Sequence, residues 1–407
     1  MKKIIAVIAV LVLVGIGVLV IIYKPNLERM ELTATLFTGA EQYENFARIR
    51  DMYPTTTLKA SSNPYDFPDG DAVLLPVKYD FNGESLSVQD FLTLTDTSAL
   101  LILEDGKVRF EEYYLTGGRD VNWLSMSVAK SFVSTLVGIA LQEGLIESVE
   151  APITQYVPEL AGSAYDGVAI VDVLEMSSGA AWNEDYADPE SDVMRMGRIM
   201  GLGGSLDEFT ATLKPERLPG SFNQYNSADT QALAMLLARA TGRSLTEYMQ
   251  EKLWDPLGAE SNAYWMVDDN QVEMAFGGLN ATARDYAKIG ELFRRKGNWQ
   301  GTQIINPDWV YTATHAVKPH LLPGINPASD YPMGYGYQWW LMDGNEEEYS
   351  AIGVYNQFIY VNPTRNLVIV KLSAFSDYAT TEDEAGYREF ETIALFRAIG
   401  ESLAGSE

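Results

Sequence analysis

The sequence predicts an α+β domain, an antiparallel sheet flanked by helices with a mostly helical subdomain beside it. Three observations carry this. A hairpin signal stands where "SALLILE" and "KVRFEEYY" flank Asp105-Gly106. Strand signals return only near the other end of the chain, in "GYGYQWWLM", "YSAIGVYNQFIYV" and "LVIVKLSAF", separated by "DGN" and "NPTRN". Between these two regions, from roughly residue 150 to 320, the patterns are helix-like. Strands at both ends with helices between them are most simply joined in one sheet completed by distant segments.

The chain opens with an apolar run from Ile4 to Tyr23, preceded by Lys2 and Lys3. That run has the length of a membrane span, and the flanking lysines put the N-terminus on the cytoplasmic side. A cleaved signal peptide would have a shorter apolar region. Gly15 and Gly17 offer a cleavage site only inside the run, so an uncleaved anchor over residues 1–23 is expected. Residues 24–85 read as an extension and linker, with the irregular stretch "SSNPYDFPDGDA". Residues 86–407 form the main domain.

After the first hairpin comes "NWLSMSVAKSFVSTLVGIALQEG", apolar on all sides and closed by Gly144, which reads as a buried helix. Further helices are predicted in "SADTQALAMLLARATG", "SLTEYMQEKLWDPLG", "TARDYAKIGELFRRKG" and the C-terminal "DEAGYREFETIALFRAIGESL".

Composition removes several function classes. There is no cysteine, so disulfide scaffolds, thiolate metal sites, cysteine nucleophiles and lipid attachment at a lipobox are excluded. Only His315 and His320 are available to a histidine-based triad or metal site, and both fall in what reads as a surface loop, "TATHAVKPHLLPG". A net charge of −27 argues against nucleic-acid binding and reads as a solvated acidic surface, with salt adaptation as the sharper alternative.

One lysine stands out. Lys130 lies one helical turn after Ser127, inside the buried helix. Desolvation disfavours a lysine's charged form, and a neutral amine at i+3 can accept the serine's proton. Ser127-Val128-Ala129-Lys130 is the sole Ser-x-x-Lys in the chain, and it starts a helix whose dipole faces a developing oxyanion. The bland alternative is a capping serine with a snorkelling lysine. A second proton-handling group is expected at Tyr225 in "PGSFNQYNSADTQ", where a loop feeds an apolar helix; a core tyrosine with a satisfied hydroxyl is its bland counterpart. Literal Tyr-x-Asn matches occur at Tyr43–Asn45 and Tyr360–Asn362, but in the extension and at a strand end.

Here the chain resembles the serine-reactive hydrolases related to class C β-lactamases and penicillin-binding proteins, most of all their 6-aminohexanoate-dimer hydrolase and esterase branch. The carrying segments are "SMSVAKSFVSTLVGIALQEGLI", "DVLEMSSGAAWNEDYADPESDV", "FNQYNSADTQALAMLLARATGRSLTEYMQEKLWDPLG", "GGLNATARDYAKIGELF", "GYGYQWW" and "AIGVYNQFIYVNP", from about 86 to 400. The resemblance implies a β-lactamase/transpeptidase-like fold. It also implies Ser127 as the acylated nucleophile, Lys130 as its proton acceptor and Tyr225 as the proton shuttle. The third family motif falls on Ala351-Ile352-Gly353. Gly353 would keep the strand open to substrate, and the Val354 N–H would join that of Ser127 as the oxyanion hole.

Two departures bear on substrate. Ala351 removes the cation or imidazole of β-lactam-processing relatives, and Ser227 stands where they carry asparagine. The resemblance also puts "WNEDYADPE" beside the pocket. Trp182 and Tyr186 are expected over the acyl chain, and Asp185 or Glu184 near a substrate ammonium, unless the loop only caps itself. Trp339 and Trp340 alternate on a strand, so at most one faces the cleft.

The sequence therefore reads as a serine hydrolase of small amide or ester substrates, acting through an acyl-enzyme with no metal or organic cofactor. It would be a single-pass protein of the bacterial inner membrane, its catalytic domain periplasmic or extracytoplasmic. The rivals are a β-lactamase or D,D-carboxypeptidase, and a non-catalytic penicillin-binding-like ectodomain.

Overall fold

The structure is a computed structural model that describes residues 36–37, 42–381 and 383–404. The apolar run at 4–23 lies outside the described residues. Among those described, no helix is long and apolar enough to cross a membrane.

The main sheet has seven antiparallel strands. In spatial order they are Gly334–Tyr335, Trp340–Leu341, Tyr349–Gly353, Gln357–Asn362, Leu367–Ser373, Thr97–Glu104 and Lys107–Tyr113. The early hairpin thus joins the late strands directly: Ile369 pairs with Ile102 and Val370 with Leu101. Alternation along these strands splits the side chains between two cores. Leu101, Leu103, Ile359, Val368 and Val370 enter the large core, whereas Leu100, Ile102, Phe358, Tyr360 and Ile369 meet the C-terminal helix Glu389–Ala404 through Ile393, Phe396 and Ile399.

The helix Ala283–Arg294 lies on the large-core face of the sheet. Gly290 makes that approach possible, since a Cβ there would stand 2.7 Å from Val368 Cγ1 and 2.8 Å from Ile359 Cγ2. The buried helix Ala129–Gln142 packs against Ser227–Thr241, which in turn meets Ile170–Leu174 and Leu206–Ala211. Ala129–Gln142 is buried from Ala129 to Ala140, as an apolar surface on all sides requires.

One expectation changes. Residues 42–85 are not a linker: Thr55–Leu58 pairs with Ala263–Met266 in a second antiparallel sheet completed by Leu279–Ala281 and Trp123–Leu124. Phe46, Ile49, Met52, Tyr53 and Leu58 are buried in the large core. The mostly helical stretch expected at roughly 150–320 also holds two of these strands. Their partner is some two hundred residues upstream, and short apolar strands carry no signal of so distant a neighbour.

Candidate active site

Ser127 sits in a single 3₁₀ turn, Met126–Val128, that runs straight into the buried helix. Met126 has φ +46°, a left-handed conformation rare for a non-glycine residue, and Ser127 is almost wholly buried. The strand Tyr349–Gly353 runs against this turn. A Cβ at Gly353 would fall 2.7 Å from the Ser125 carbonyl oxygen and 3.0 Å from the Ser127 nitrogen. Gly353 therefore makes room for the backbone of the serine turn, a closer duty than the openness to substrate expected of it. Val354, which follows it, lines a cavity together with Ser127.

Lys130 is 1% exposed. Its Nζ lies 2.8 Å from Ser127 Oγ and 2.8 Å from the carbonyl oxygen of Phe276, to which it donates. Burial pulls the amine down from its usual range to about 7, against an opposing pull from the Glu184 carboxylate. At neutral pH a large share of the amine is thus uncharged. One N–H is then held by Phe276, and the lone pair can face Ser127.

Tyr225 lies beside Ser127, whose side chain opposes the rise in the phenol's pKa. Its ring stacks on Trp340, with centroids 5.1 Å apart and planes at 20°, and meets Tyr335 edge-on at 6.2 Å. Lys130 Nζ lies 5.0 Å from the centre of the same ring. Burial raises the Tyr225 phenol well above its usual value and the Glu184 charge raises it further, so it is a proton donor at neutral pH. Trp340 is thus the member of its pair that faces the site; Trp339 is fully buried against Phe293 and Tyr349.

Asn226 caps the helix that follows, accepting the Ala228 N–H at 2.8 Å. Ser227 turns away from the cavity and gives both its donors to Glu184, the backbone N–H at 3.0 Å and the hydroxyl at 2.6 Å. Glu184 also accepts from Tyr186 Oη at 2.7 Å and from Trp182 Nε1. Ser227 and Trp182, expected at the substrate, instead donate to this half-buried carboxylate and anchor it. Asp185 is exposed and accepts the N–H of Ala187 at 2.8 Å, so it caps its own loop and does not await an ammonium. Tyr186 does line the cavity.

His315 stacks on Tyr311 and does not line the cavity; His320, in the turn Pro319–Leu321, is buried and not exposed as a surface loop would leave it. Sequence reasoning missed Phe276, whose contribution is a backbone carbonyl and so leaves no mark on residue type. It also gave Glu184 a substrate-binding duty where the structure gives it a positioning one. Among the described residues, no cluster of three or more histidine and carboxylate side chains could hold a metal ion.

Comparison with known proteins bears on the family and the fold. Residues 95–393 match the Beta-lactamase family model. Over 346 residues the chain is 34% identical to 6-aminohexanoate-dimer hydrolase of Paenarthrobacter ureafaciens, covering 82% of this chain and 85% of that protein. A Bacillus anthracis structure, provisionally named as a 6-aminohexanoate-dimer hydrolase, superposes with a TM-score of 0.81 at 22% identity, over 91% of this chain and 96% of that one. EstCE1, a hydrolase with promiscuous acyltransferase activity, superposes with a TM-score of 0.59 at 16% identity, over 77% of this chain and 96% of that one. With its serine–lysine–tyrosine cluster on this fold, the chain belongs to the β-lactamase family of serine hydrolases.

Proposed function

We propose that this protein cleaves amide or ester bonds of small substrates through an acyl-enzyme on Ser127. Neutral Lys130 takes the Ser127 Oγ proton as the oxygen attacks the substrate carbonyl carbon. The N–H groups of Ser127 and Val354 hold the resulting oxyanion. Collapse expels the amine or alcohol, which receives a proton through Tyr225 as its bond to the acyl carbon breaks. Water then attacks the ester, its proton passing back through the same groups, and releases the acid and free Ser127.

The observation that supports this most is the 2.8 Å contact between Ser127 Oγ and a lysine held near neutrality by burial. The similarity to 6-aminohexanoate-dimer hydrolase favours linear amides and esters over strained lactams. A β-lactamase or D,D-carboxypeptidase reading is weakened by Ala351, a small apolar residue buried in the strand beside the serine turn. The test is fluorophosphonate labelling and p-nitrophenyl ester turnover, wild type beside Ser127→Ala, with a chromogenic cephalosporin in parallel. Labelling and turnover that vanish in Ser127→Ala support the reading; a folded wild type that does neither points to a non-catalytic binding protein. Rapid cephalosporin turnover with no ester hydrolysis points to a β-lactamase.

The proposal extends to location: residues 4–23 anchor the protein in the inner membrane with the hydrolase outside the cytoplasm. Fractionation of the full chain tests it, with recovery in carbonate-washed membranes as the expected result.

A further inference from the structure

Beside Ser127 opens a cavity of about 440 Å³, the size of a small-molecule site. Its walls are methionine-rich: Met126, Met194, Met200, Met266 and Met274 all line it. Thioether side chains are flexible and apolar, and they fill irregular contacts with aliphatic chains. The lip comes from the chain's N-terminal part, where Phe37 stacks on Tyr355 with centroids 5.2 Å apart and planes at 2°. Tyr355 directly follows Val354, so the lip adjoins the reacting carbonyl in the proposed reaction.

The charges around this cavity are informative. Arg198 is the one lysine, arginine or carboxylate side chain among the described lining residues. The carboxylate of Glu184 lies nearby but is engaged by four donors from Ser227, Tyr186 and Trp182. The Arg198 guanidinium donates to the Pro189 carbonyl oxygen and lies 3.4 Å from the Glu190 carboxylate, so an ammonium at the far end of an acyl chain would lose its water and find no carboxylate in the described wall itself.

We propose that this cavity receives the acyl part of the substrate, and that the preferred acyl group is an uncharged, unbranched aliphatic chain of medium length. This rests on the acyl-enzyme reading above. It departs from the 6-aminohexanoyl group named for the Paenarthrobacter relative, whose chain ends in an ammonium.

The test is kcat/KM for p-nitrophenyl acetate, butyrate, hexanoate and octanoate, with 6-aminohexanoate beside hexanoate. Each added methylene should raise kcat/KM about fourfold until the cavity is filled. Hexanoate should exceed its 6-amino analogue by on the order of a hundredfold. Gly197→Leu supplies the structural control. Gly197 lines the cavity on the helix Asp192–Leu202, and a Cβ there meets no atom within 4 Å. Leucine at this position should lower the octanoate-to-acetate ratio tenfold or more. Ser127-dependent acetate turnover with a flat chain-length profile, or a preference for 6-aminohexanoate, overturns the inference and leaves the acyl-enzyme reading intact. If no ester is hydrolysed, the acyl-enzyme reading fails by itself, and calorimetry on Ser127→Ala decides the cavity. Tighter binding of octanoic than of 6-aminohexanoic acid, weakened by Gly197→Leu, supports an apolar-chain site; equal binding overturns it.

Discussion

The carbonyl oxygen of Phe276 accepts a hydrogen bond from Lys130 at 2.8 Å, the same distance at which that nitrogen meets Ser127 Oγ. A buried amine with several free rotamers would be a poor base, because its lone pair would rarely face the serine. Phe276 removes that freedom by binding one N–H. The backbone thus orients a base whose neutrality comes from burial.

Lys130→Met should lower kcat/KM for an ester substrate by about a thousandfold or more. The thermal midpoint should hold or rise, since an apolar side chain of similar length replaces a desolvated amine. Activity within tenfold of wild type would remove Lys130 from the mechanism. Tyr225→Phe should cost between about a hundredfold and ten-thousandfold, with folding retained through the Trp340 stack.

The pH dependence of kcat/KM should follow Lys130. Activity requires the neutral amine, so it should rise with pH, inflect near 7 and then level off. The stability sign follows from the same group. Its pKa is depressed on folding, so its stabilising contribution is complete above the unfolded lysine value and is lost as pH falls toward about 7. Lys130→Met should remove that part of the pH dependence, read from denaturant midpoints across the range.

Glu184→Gln should move the inflection to lower pH. The Glu184 charge opposes the burial effect on Lys130, and without it the amine loses its proton more easily. Glutamine keeps the size and some of the hydrogen bonds, so folding should survive. An inflection that stays put would show that Glu184 only props up its loop.

Gly353→Ala should both destabilise and inactivate. The added methyl would stand 2.7 Å from the Ser125 carbonyl oxygen, and backbone cannot swing aside as a flexible side-chain end can. A cost of about 1–3 kcal/mol is expected in chemical denaturation. Activity should fall further than stability explains, because the serine turn moves with it.

Asp229→Asn should be better tolerated than a buried aspartate suggests. Asp229 accepts from Tyr165 at 2.9 Å and from Ser178 at 2.7 Å, yet burial raises its pKa to about 8. A group raised on folding stabilises fully below its unfolded pKa, and that stability is lost as pH rises through the folded value. Asparagine lacks this loss, so the variant should gain relative to wild type at pH 8 and not at pH 4. A destabilisation equal at both pH values would contradict a protonated Asp229.

By itself the sequence determined what local pattern can encode. The hairpin at Asp105-Gly106, the buried helix Ala129–Gln142 and the spacing of Ser127 to Lys130 all follow from periodicity and turn chemistry between neighbours in the chain. Burial alone did not single out Lys130, however. Lys288 and Lys371 are equally buried, one paired with Glu260 and Asp285, the other held by Thr95, Asn356 and Ser373. Tertiary structure decided which of the three amines meets the serine that lines the cavity and which carbonyl aims it. It also decided that Glu184 is anchored by Ser227, that Trp340 lies on Tyr225, and that Phe37 closes the lip of a methionine-lined cavity. Such contacts join segments far apart in the chain. Their energy depends on where packing delivers each side chain, and residue type carries no record of that address.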